Sequence, residues 1–334
     1  MRVLVTGNEG YIGSVLVPLL HDRGHDVHGL DTGWFRECAV DTVSSVPTTR
    51  LDVRDVQPEH LTGIDAIIHL AGLSNDPMGD VDAALTHSIN AAGTAQLVYA
   101  ARTAGVRRFI FASTCSVYGP GAGDALLSEE GRVAPLTSYA HSKLAAEEIV
   151  LCAQSPAFST TVMRGSTIYG YSPRIRLDLV VNELVATAVT TGEIRLRSTG
   201  NAWRPFLHVE DFARALAAFL EATQSLAGPG RVNIGSADGN HRVIDVARLV
   251  SAATGTEISF DPSADTDHRN YRVSFERLAR ELPDFQCEWT MERGIRDLAE
   301  RLRRAAHEGR LASLDRYYRV THLRESILHG GRAD

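Results

Sequence analysis

The sequence TGNEGYIG, residues 6–13, follows a short apolar stretch and opens a helical pattern. Its glycines, Gly7, Gly10 and Gly13, permit a tight turn and let the backbone approach a pyrophosphate, whose charge the helix N-terminus would meet. About twenty residues later, Asp31 ends the next apolar stretch, where a carboxylate accepts the ribose hydroxyls of NAD and repels the 2′-phosphate of NADP. The pattern predicts a dinucleotide site that prefers NAD, although a purely structural turn has the same glycines.

Strand and helix patterns alternate beyond this turn. Strand patterns cover residues 3–5, 27–30, 66–70, 109–112, 160–164 and 231–234, and helix patterns cover 13–23, 82–105, 138–152, 209–222, 243–254 and 291–306. This alternation predicts an α/β fold, a Rossmann-type doubly wound parallel sheet with a smaller, interleaved C-terminal α/β domain. We expect residues 1–169 and about 207–235 to bind the cofactor, and about 170–206 with 236–334 to bind the substrate.

Composition narrows the choice of partners. The 334 residues carry a net charge of −7, which argues against nucleic acid because phosphate-backbone binding needs a basic face. No apolar run approaches the roughly 18 residues that a membrane span needs, and residue 2 leads directly into a strand pattern. We therefore expect a cytoplasmic protein without a membrane partner.

Four cysteines, Cys38, Cys115, Cys152 and Cys287, are scattered without CxxC pairs or histidine clusters. This spacing predicts neither a disulfide framework nor a metal site.

The sequence YAHSK, residues 139–143, places Tyr139 and Lys143 on one face of a predicted helix. A phenol is a poor base at neutral pH, but a neighbouring ammonium lowers its pKa. Tyr139 could then exchange a proton with a substrate hydroxyl while a hydride passes to or from NAD. An exposed helix pair would show the same spacing, yet Lys143 is the only lysine in the chain.

Residues 109–119, FIFASTCSVYG, read as a buried strand that breaks into a loop rich in hydroxyl groups. Such a loop after a parallel strand faces the ligand crevice. A hydroxyl in this loop could hydrogen-bond the reacting oxygen and share its proton with Tyr139, although ordinary turn capping by serine and threonine is the plainer interpretation.

The ordered set of motifs resembles the extended short-chain dehydrogenases/reductases, and within them the nucleotide-sugar epimerase/dehydratase family. The resemblance covers Arg2 to about Glu300 and rests on the following positions: the glycine turn, Asp31, Asp52-Val53, His69-Leu70-Ala71-Gly72, Asn90, the Ser-Thr loop, and Tyr139 with Lys143. It implies an NAD-dependent enzyme that acts on a nucleoside-diphosphate sugar, and we expect a homodimer.

Roles for individual residues follow from the same resemblance. Thr114, Tyr139 and Lys143 would be catalytic. The implied cofactor contacts are the pyrophosphate at Gly7, Gly10 and Gly13, the adenosine ribose at Asp31, the adenine at Asp52 and Val53, and the nicotinamide ribose at Lys143. Further implied cofactor contacts are Tyr11, Ile12, Leu70, Ala71, Gly72, Asn90 and Tyr139. The implied substrate contacts are Ser74, Cys115, Ser116, Thr167, Asn182, Arg204 and Arg269. Thr167 stands where the family usually has an asparagine, and both arginines could instead be surface residues.

The reaction is chosen by the residues after Thr114. Family 4,6-dehydratases carry an Asp-Glu pair there, whereas this chain has Cys115 and Ser116. A neutral thiol and a hydroxyl are poorly suited to eliminating water without activation. A C4 epimerase needs only NAD and the Thr/Tyr/Lys set, so we expect that reaction, with a nonstandard dehydratase or dehydrogenase as the alternative. A non-catalytic NAD-sensing protein is a further alternative, against which the retained Tyr/Lys pair argues.

Overall fold

The computed structural model describes residues 1–121, 125–222, 230–265, 269–311 and 313–328, without the side chains of residues 262–265 and 325–328. The strands are β1 (Arg2–Thr6), β2 (Asp26–Asp31), β3 (Thr48–Arg50), β4 (Ala66–His69), β5 (Arg108–Thr114), β6 (Leu126–Leu127), β7 (Ser159–Gly165), β8 (Thr167–Tyr169), β9 (Ile194–Ser198), β10 (Trp203–His208), β11 (Gly230–Ile234), β12 (Asn240–Arg242), β13 (Ile258–Asp265) and β14 (Arg272–Val273). The helices are α1 (Gly13–Asp22), α2 (Asp76–Gly79), α3 (Ala83–His87), α4 (Gly93–Thr103), α5 (Ser138–Cys152), α6 (Val180–Thr190), α7 (Val209–Glu221), α8 (Val243–Thr254), α9 (Glu276–Glu281), α10 (Met291–His307) and α11 (Arg319–Leu328).

Seven strands form one sheet in the order β11-β7-β5-β4-β1-β2-β3, and every neighbouring pair is parallel. The order reverses beside β1, where β4 and β2 lie on opposite sides of the first strand. A crevice opens at such a reversal beyond the carboxyl ends of the strands, and ligands of α/β proteins bind there. The predicted doubly wound parallel sheet is confirmed.

Helices cover both faces of this sheet because its strands are apolar on both sides. On one face, Leu16 of α1 and Phe212 of α7 share a buried cluster with Val3 of β1. On the other face, Leu97 of α4 and Val150 of α5 belong to a second buried cluster. The glycine turn and the Tyr/Lys helix are thereby fixed against the same rigid sheet.

A third buried cluster joins α6, α8 and α10 through residues such as Val185, Val246 and Leu298. Two small sheets, β12-β10-β8 and β13-β9, accompany these helices. The division into two domains at the expected residues stays a prediction. Helix α11 was expected in the substrate-binding part of the chain. Its Leu323 packs instead into the cluster of α4 and α5, and not with α10.

The sequence patterns located most of the main sheet, and α5 and α8 have the expected bounds. The expected helix over residues 82–105 is instead α3, a π-helical segment at Ser88–Ala92, and α4. Within that segment Asn90 bonds the backbone of Leu73 through both side-chain atoms, Oδ1 at 2.9 Å and Nδ2 at 2.9 Å. The helix is therefore interrupted where it is tied to the loop after β4.

Candidate active site

A cleft of about 690 Å³ lies beyond the carboxyl ends of β1, β4 and β5. Its wall includes the glycine turn and Asp31 at one end, the catalytic candidates Thr114, Tyr139 and Lys143, and Arg204. Residues that are far apart in sequence meet here because parallel strands end at the same edge of a sheet.

The glycine turn is closely packed against the loop after β4. Gly7 has φ +71°, and a Cβ atom there would lie 2.8 Å from the backbone nitrogen of Ala71. At Gly13 a Cβ atom would lie 2.4 Å from the carbonyl oxygen of Gly7. Side chains at these two positions would force the turn apart, so the glycines are needed for the fold of the turn itself as well as for close approach of a ligand.

Asp31 lies at the carboxyl end of β2, next to this turn. Its carboxylate accepts backbone hydrogen bonds from Gly33 at 2.8 Å and from Glu9 at 3.1 Å. Burial raises the pKa of Asp31, and the two N–H groups oppose that rise. Glu9 in turn is paired with Arg50, with Nη1 to Oε2 2.6 Å.

The other expected cofactor positions also meet in the cleft, except for one. Tyr11, Ile12, Asp52, Val53, Leu70, Ala71 and Gly72 all line it. Arg54 donates to the Asp52 carboxylate from Nη2 at 2.7 Å. Asn90 is buried behind the wall, where Nδ2 donates to Ser142 of α5 at 2.9 Å, so its side chain acts as a tie between loops.

The catalytic candidates converge on one wall. Tyr139 and Lys143 lie one turn apart on α5, and the Tyr139 phenol shares a side-chain hydrogen bond with Thr114 at the end of β5. The Lys143 ammonium lies 4.3 Å from the ring centroid of Phe111. All three side chains line the cleft, so the structure brings the three catalytic candidates together.

The electrostatic environment disfavours the charged form of both groups on α5. Burial raises the pKa of Tyr139, nearby Asp76 raises it further, and the bond to Thr114 lowers it. Burial lowers the pKa of Lys143 to about 7, against the attraction of Glu147. Of the two groups, Lys143 is thus the one whose pKa lies near neutral pH, as is common for ionisable groups at functional sites.

Cys115 turns away from the cleft, although its neighbours Thr114 and Ser116 line it. Its thiol is buried among apolar side chains and donates to the carbonyl oxygen of Arg164 with an Sγ to O distance of 3.4 Å. Burial raises the pKa of the thiol. The structure therefore does not bring this thiol to the cleft wall, where we expected it, because it packs into the buried apolar cluster beneath the loop.

Asn182 is also outside the cleft. It is fully buried on α6, where Oδ1 accepts from the backbone of Gly170 at 2.9 Å and Nδ2 donates to the carbonyl oxygen of Arg176 at 3.0 Å. All these partners are internal, so the structure places Asn182 behind the wall and not at the expected substrate contact.

The remaining expected substrate residues line the cleft: Ser74, Ser116, Thr167, Arg204 and Arg269. The Arg204 guanidinium lies 5.3 Å from the ring centroid of Tyr271 and donates to the carbonyl oxygen of Trp203 at 2.9 Å. Arg269 forms an ion pair with Asp76. Arg204 therefore has a fixed orientation beside an aromatic wall.

The cleft residues that the sequence analysis did not single out include Asp76, Arg176, Tyr271 and Arg319. Asp76 follows the Ser74-Asn75 pair directly and carried a weak local signal. Arg176 and Arg319 carried none, because they come from loops and helices far from the sheet motifs. Arg176 pairs with Asp178, Nη2 to Oδ2 2.7 Å.

Two further features bear on the kind of site. Among the described residues, no three His, Cys, Asp or Glu side chains are grouped as a metal site would require. In the same part of the chain, no helix combines the length and apolar character of a membrane span.

A parallel sheet with a glycine turn at its reversal point defines the class of dinucleotide-binding α/β proteins. Within that class the chain belongs to the NAD dependent epimerase/dehydratase family, whose family model matches residues 3–235. It is an NAD-dependent enzyme, as the motifs predicted. The residues fit this cofactor, because the close-packed glycine turn leaves backbone exposed to the cleft beside an acidic β2 end.

Relatives with different reactions are similar to this chain to about the same degree. UDP-glucose 4-epimerase of Erwinia amylovora is 26% identical over 329 residues, covering 89% of this chain and 95% of that protein. dTDP-D-glucose 4,6-dehydratase of Mus musculus is 26% identical over 325 residues, covering 92% and 90%. The solved structure of MoeE5 in complex with UDP-glucuronic acid and NAD has a TM-score of 0.79 and 27% identity, and the match covers 91% of this chain and 100% of that one.

Proposed function

We propose that this enzyme is a nucleoside-diphosphate-sugar epimerase that acts at C4 through a transient keto sugar. The observation that carries the proposal is the Thr114–Tyr139 hydrogen bond beside Lys143, on a wall where the following residue, Cys115, points away. The loop after β5 thus offers the cleft hydroxyl groups and no carboxylate, which suits reversible oxidation better than elimination of water.

The chain's own residues divide the work of proton transfer. Tyr139 takes the proton of the sugar hydroxyl and later returns it, while Thr114 holds the same oxygen. Lys143 in its charged form favours the Tyr139 phenolate. NAD, when bound, supplies the acceptor and donor of the hydride.

The substrate class rests on the positive side chains at the other end of the cleft. Arg204 is buried and held against Tyr271, and a guanidinium fork suits diphosphate oxygens. Thr167 lies on the same wall but lacks the amide of the family's usual asparagine. The similarity to a UDP-glucose 4-epimerase and a dTDP-D-glucose 4,6-dehydratase supports a nucleotide sugar as the substrate here.

The dehydratase or dehydrogenase alternative has one observation in its favour. Asp76 places a carboxylate in the cleft close enough to Tyr139 to raise the pKa of the phenol. Its oxygens are, however, engaged by Thr137 at 2.6 Å and by Arg269. Both oxygens of Asp76 are thus occupied by other side chains, so epimerisation remains the proposal.

The deciding experiment incubates the purified enzyme with UDP-, dTDP-, GDP- and CDP-sugars and follows the products by mass spectrometry and NMR. Unchanged mass with altered ring couplings supports the epimerase. Loss of one water from the sugar would overturn the epimerase proposal in favour of the dehydratase. Formation of NADH without any epimerised sugar would point to the dehydrogenase. Binding of NAD without turnover of any sugar would favour the sensing protein.

A further inference from the structure

We propose that Arg319, the first residue of α11, binds the pyrophosphate of NAD opposite the glycine turn. The inference rests on the proposed position of the pyrophosphate at that turn. Arg319 lines the cleft with only 5% of its surface exposed. Its Nε and Nη2 atoms have no hydrogen-bond partner among the residues that the structure describes.

The position of this guanidinium points to the cofactor end of the cleft. A Cβ atom built on Gly10 would lie 3.9 Å from Nη1 of Arg319. The guanidinium of Arg319 therefore lies close to the glycine turn, at the cofactor end of the cleft. An anion seated at the N-terminus of α1 would be met by backbone N–H groups and by this side chain together.

The nearby carboxylates are already occupied. Asp178 pairs through both oxygens with Arg176, Nε to Oδ1 3.0 Å and Nη2 to Oδ2 2.7 Å. Asp31 accepts backbone N–H groups on both of its oxygens. The hydrogen-bonding capacity of both carboxylates is thus used by other donors, and neither forms a hydrogen bond with Nε or Nη2 of Arg319.

Packing holds Arg319 in this place without neutralising it. The guanidinium lies 4.9 Å from the ring centroid of Phe35, whose face attracts a cation. Burial, together with the repulsion of Arg176, lowers the pKa of Arg319 to about 10. A buried cation without a hydrogen-bonded anion is costly, and a bidentate pyrophosphate contact would offset that cost.

The test compares Arg319→Met with Arg324→Met, a matched control that removes an exposed arginine from the same helix. Calorimetric titration of the full chain would use NAD, ADP, adenosine and UDP. We expect Arg319→Met to weaken NAD and ADP by roughly ten- to hundredfold, the scale of a lost charge-assisted bond. Adenosine, which has no phosphate, should bind as it does to the wild type, and Arg324→Met should change no affinity.

The other outcomes also decide. Unchanged NAD and ADP affinities would overturn the proposal, and so would a loss confined to UDP, which would assign the guanidinium to the substrate's diphosphate. If Arg319→Met does not fold, Arg319→Gln carries the same comparison, with circular dichroism as the check on folding. Absence of NAD binding by the wild type would instead refute the cofactor site itself, so the two failures are distinguishable.

Discussion

At the scale of single residues, the surroundings of Tyr139 could not be predicted from its spacing to Lys143 in the sequence. The phenol is buried, bonded to Thr114 and close to Asp76, and the positive charge of Arg176 acts to lower its pKa. Thr114 is fixed in turn, because its hydroxyl also accepts from the backbone of Ser116 at 3.1 Å. The proton-transfer groups are thus oriented before a substrate arrives, which lowers the entropic cost of reaction.

Removal of the phenolic hydroxyl tests this arrangement. Tyr139→Phe should lower turnover by roughly a hundredfold or more, the usual loss for a general acid/base, because the phenolic hydroxyl is the group assigned to exchange the proton with the sugar. NAD affinity measured by calorimetry should stay almost unchanged. Near-normal turnover would contradict the assignment.

Asp31 sets the choice of cofactor in this proposal. Asp31→Ala should weaken NAD and narrow the preference over NADP, because the carboxylate that would repel a 2′-phosphate is gone. Asp26→Ala, an exposed change on the same strand, is the control. Equal affinities of the wild type for NAD and NADP would contradict the prediction.

Cys115 gives a sharp contrast with its neighbours. Cys115→Ser should retain most of the turnover, because the thiol faces an apolar cluster and a serine hydroxyl can donate to the same carbonyl oxygen of Arg164. The measurement is kcat with substrate affinity. A severe loss of kcat in a folded variant, with a thiol-like pKa in the wild-type pH profile, would favour the dehydratase alternative.

At the scale of elements, a buried ion pair joins α5 to the sheet. Glu147 lies one turn beyond Lys143. Its carboxylate accepts hydrogen bonds from Nη2 of Arg164 in β7 at 2.7 Å and from Nε of Arg231 in β11 at 3.0 Å. Ser113 of β5 donates to the same carboxylate at 2.5 Å. One side chain therefore fixes the catalytic helix against three neighbouring strands.

Loss of this carboxylate should be costly. Glu147→Gln should lower the free energy of unfolding by about 3–5 kcal/mol, the scale for leaving one partner of a buried pair uncompensated. Glu148→Gln, which changes an exposed neighbour, should lower it far less. Urea denaturation measures both, and equal effects of the two changes would contradict this role of Glu147.

At the scale of the whole molecule, the buried Lys143 links stability to pH. Burial lowers its pKa from 10.5 to about 7 in the folded chain, so between these values the unfolded chain binds one more proton than the folded chain. Stability therefore rises with pH across this window. The cost of the buried charge is fully present below pH 7.

Lys143→Met removes this dependence. In NAD-free protein the variant should be more stable than the wild type below about pH 7, and the difference should shrink as pH rises towards 10.5. The measurement is the free energy of unfolding at a series of pH values. A difference that stays constant with pH would show that Lys143 titrates normally.

The sequence by itself determined the parallel sheet, the family, NAD and the Tyr139/Lys143 pair. These features depend on local patterns: glycines in a turn, alternating apolar stretches, and two residues one helical turn apart. Each of these patterns depends on a few residues that are neighbours along the chain, so it can be recognised from the sequence without the structure.

Only the tertiary structure decided which side chains reach the cleft. Cys115 and Asn182 turn inwards because their hydrogen-bond partners, Arg164 and Gly170, come from other segments. Arg319 enters the cleft because α11 packs against the sheet cluster through Leu323. Such contacts join residues distant in sequence, and their geometry follows from packing of the whole chain, which no local pattern encodes.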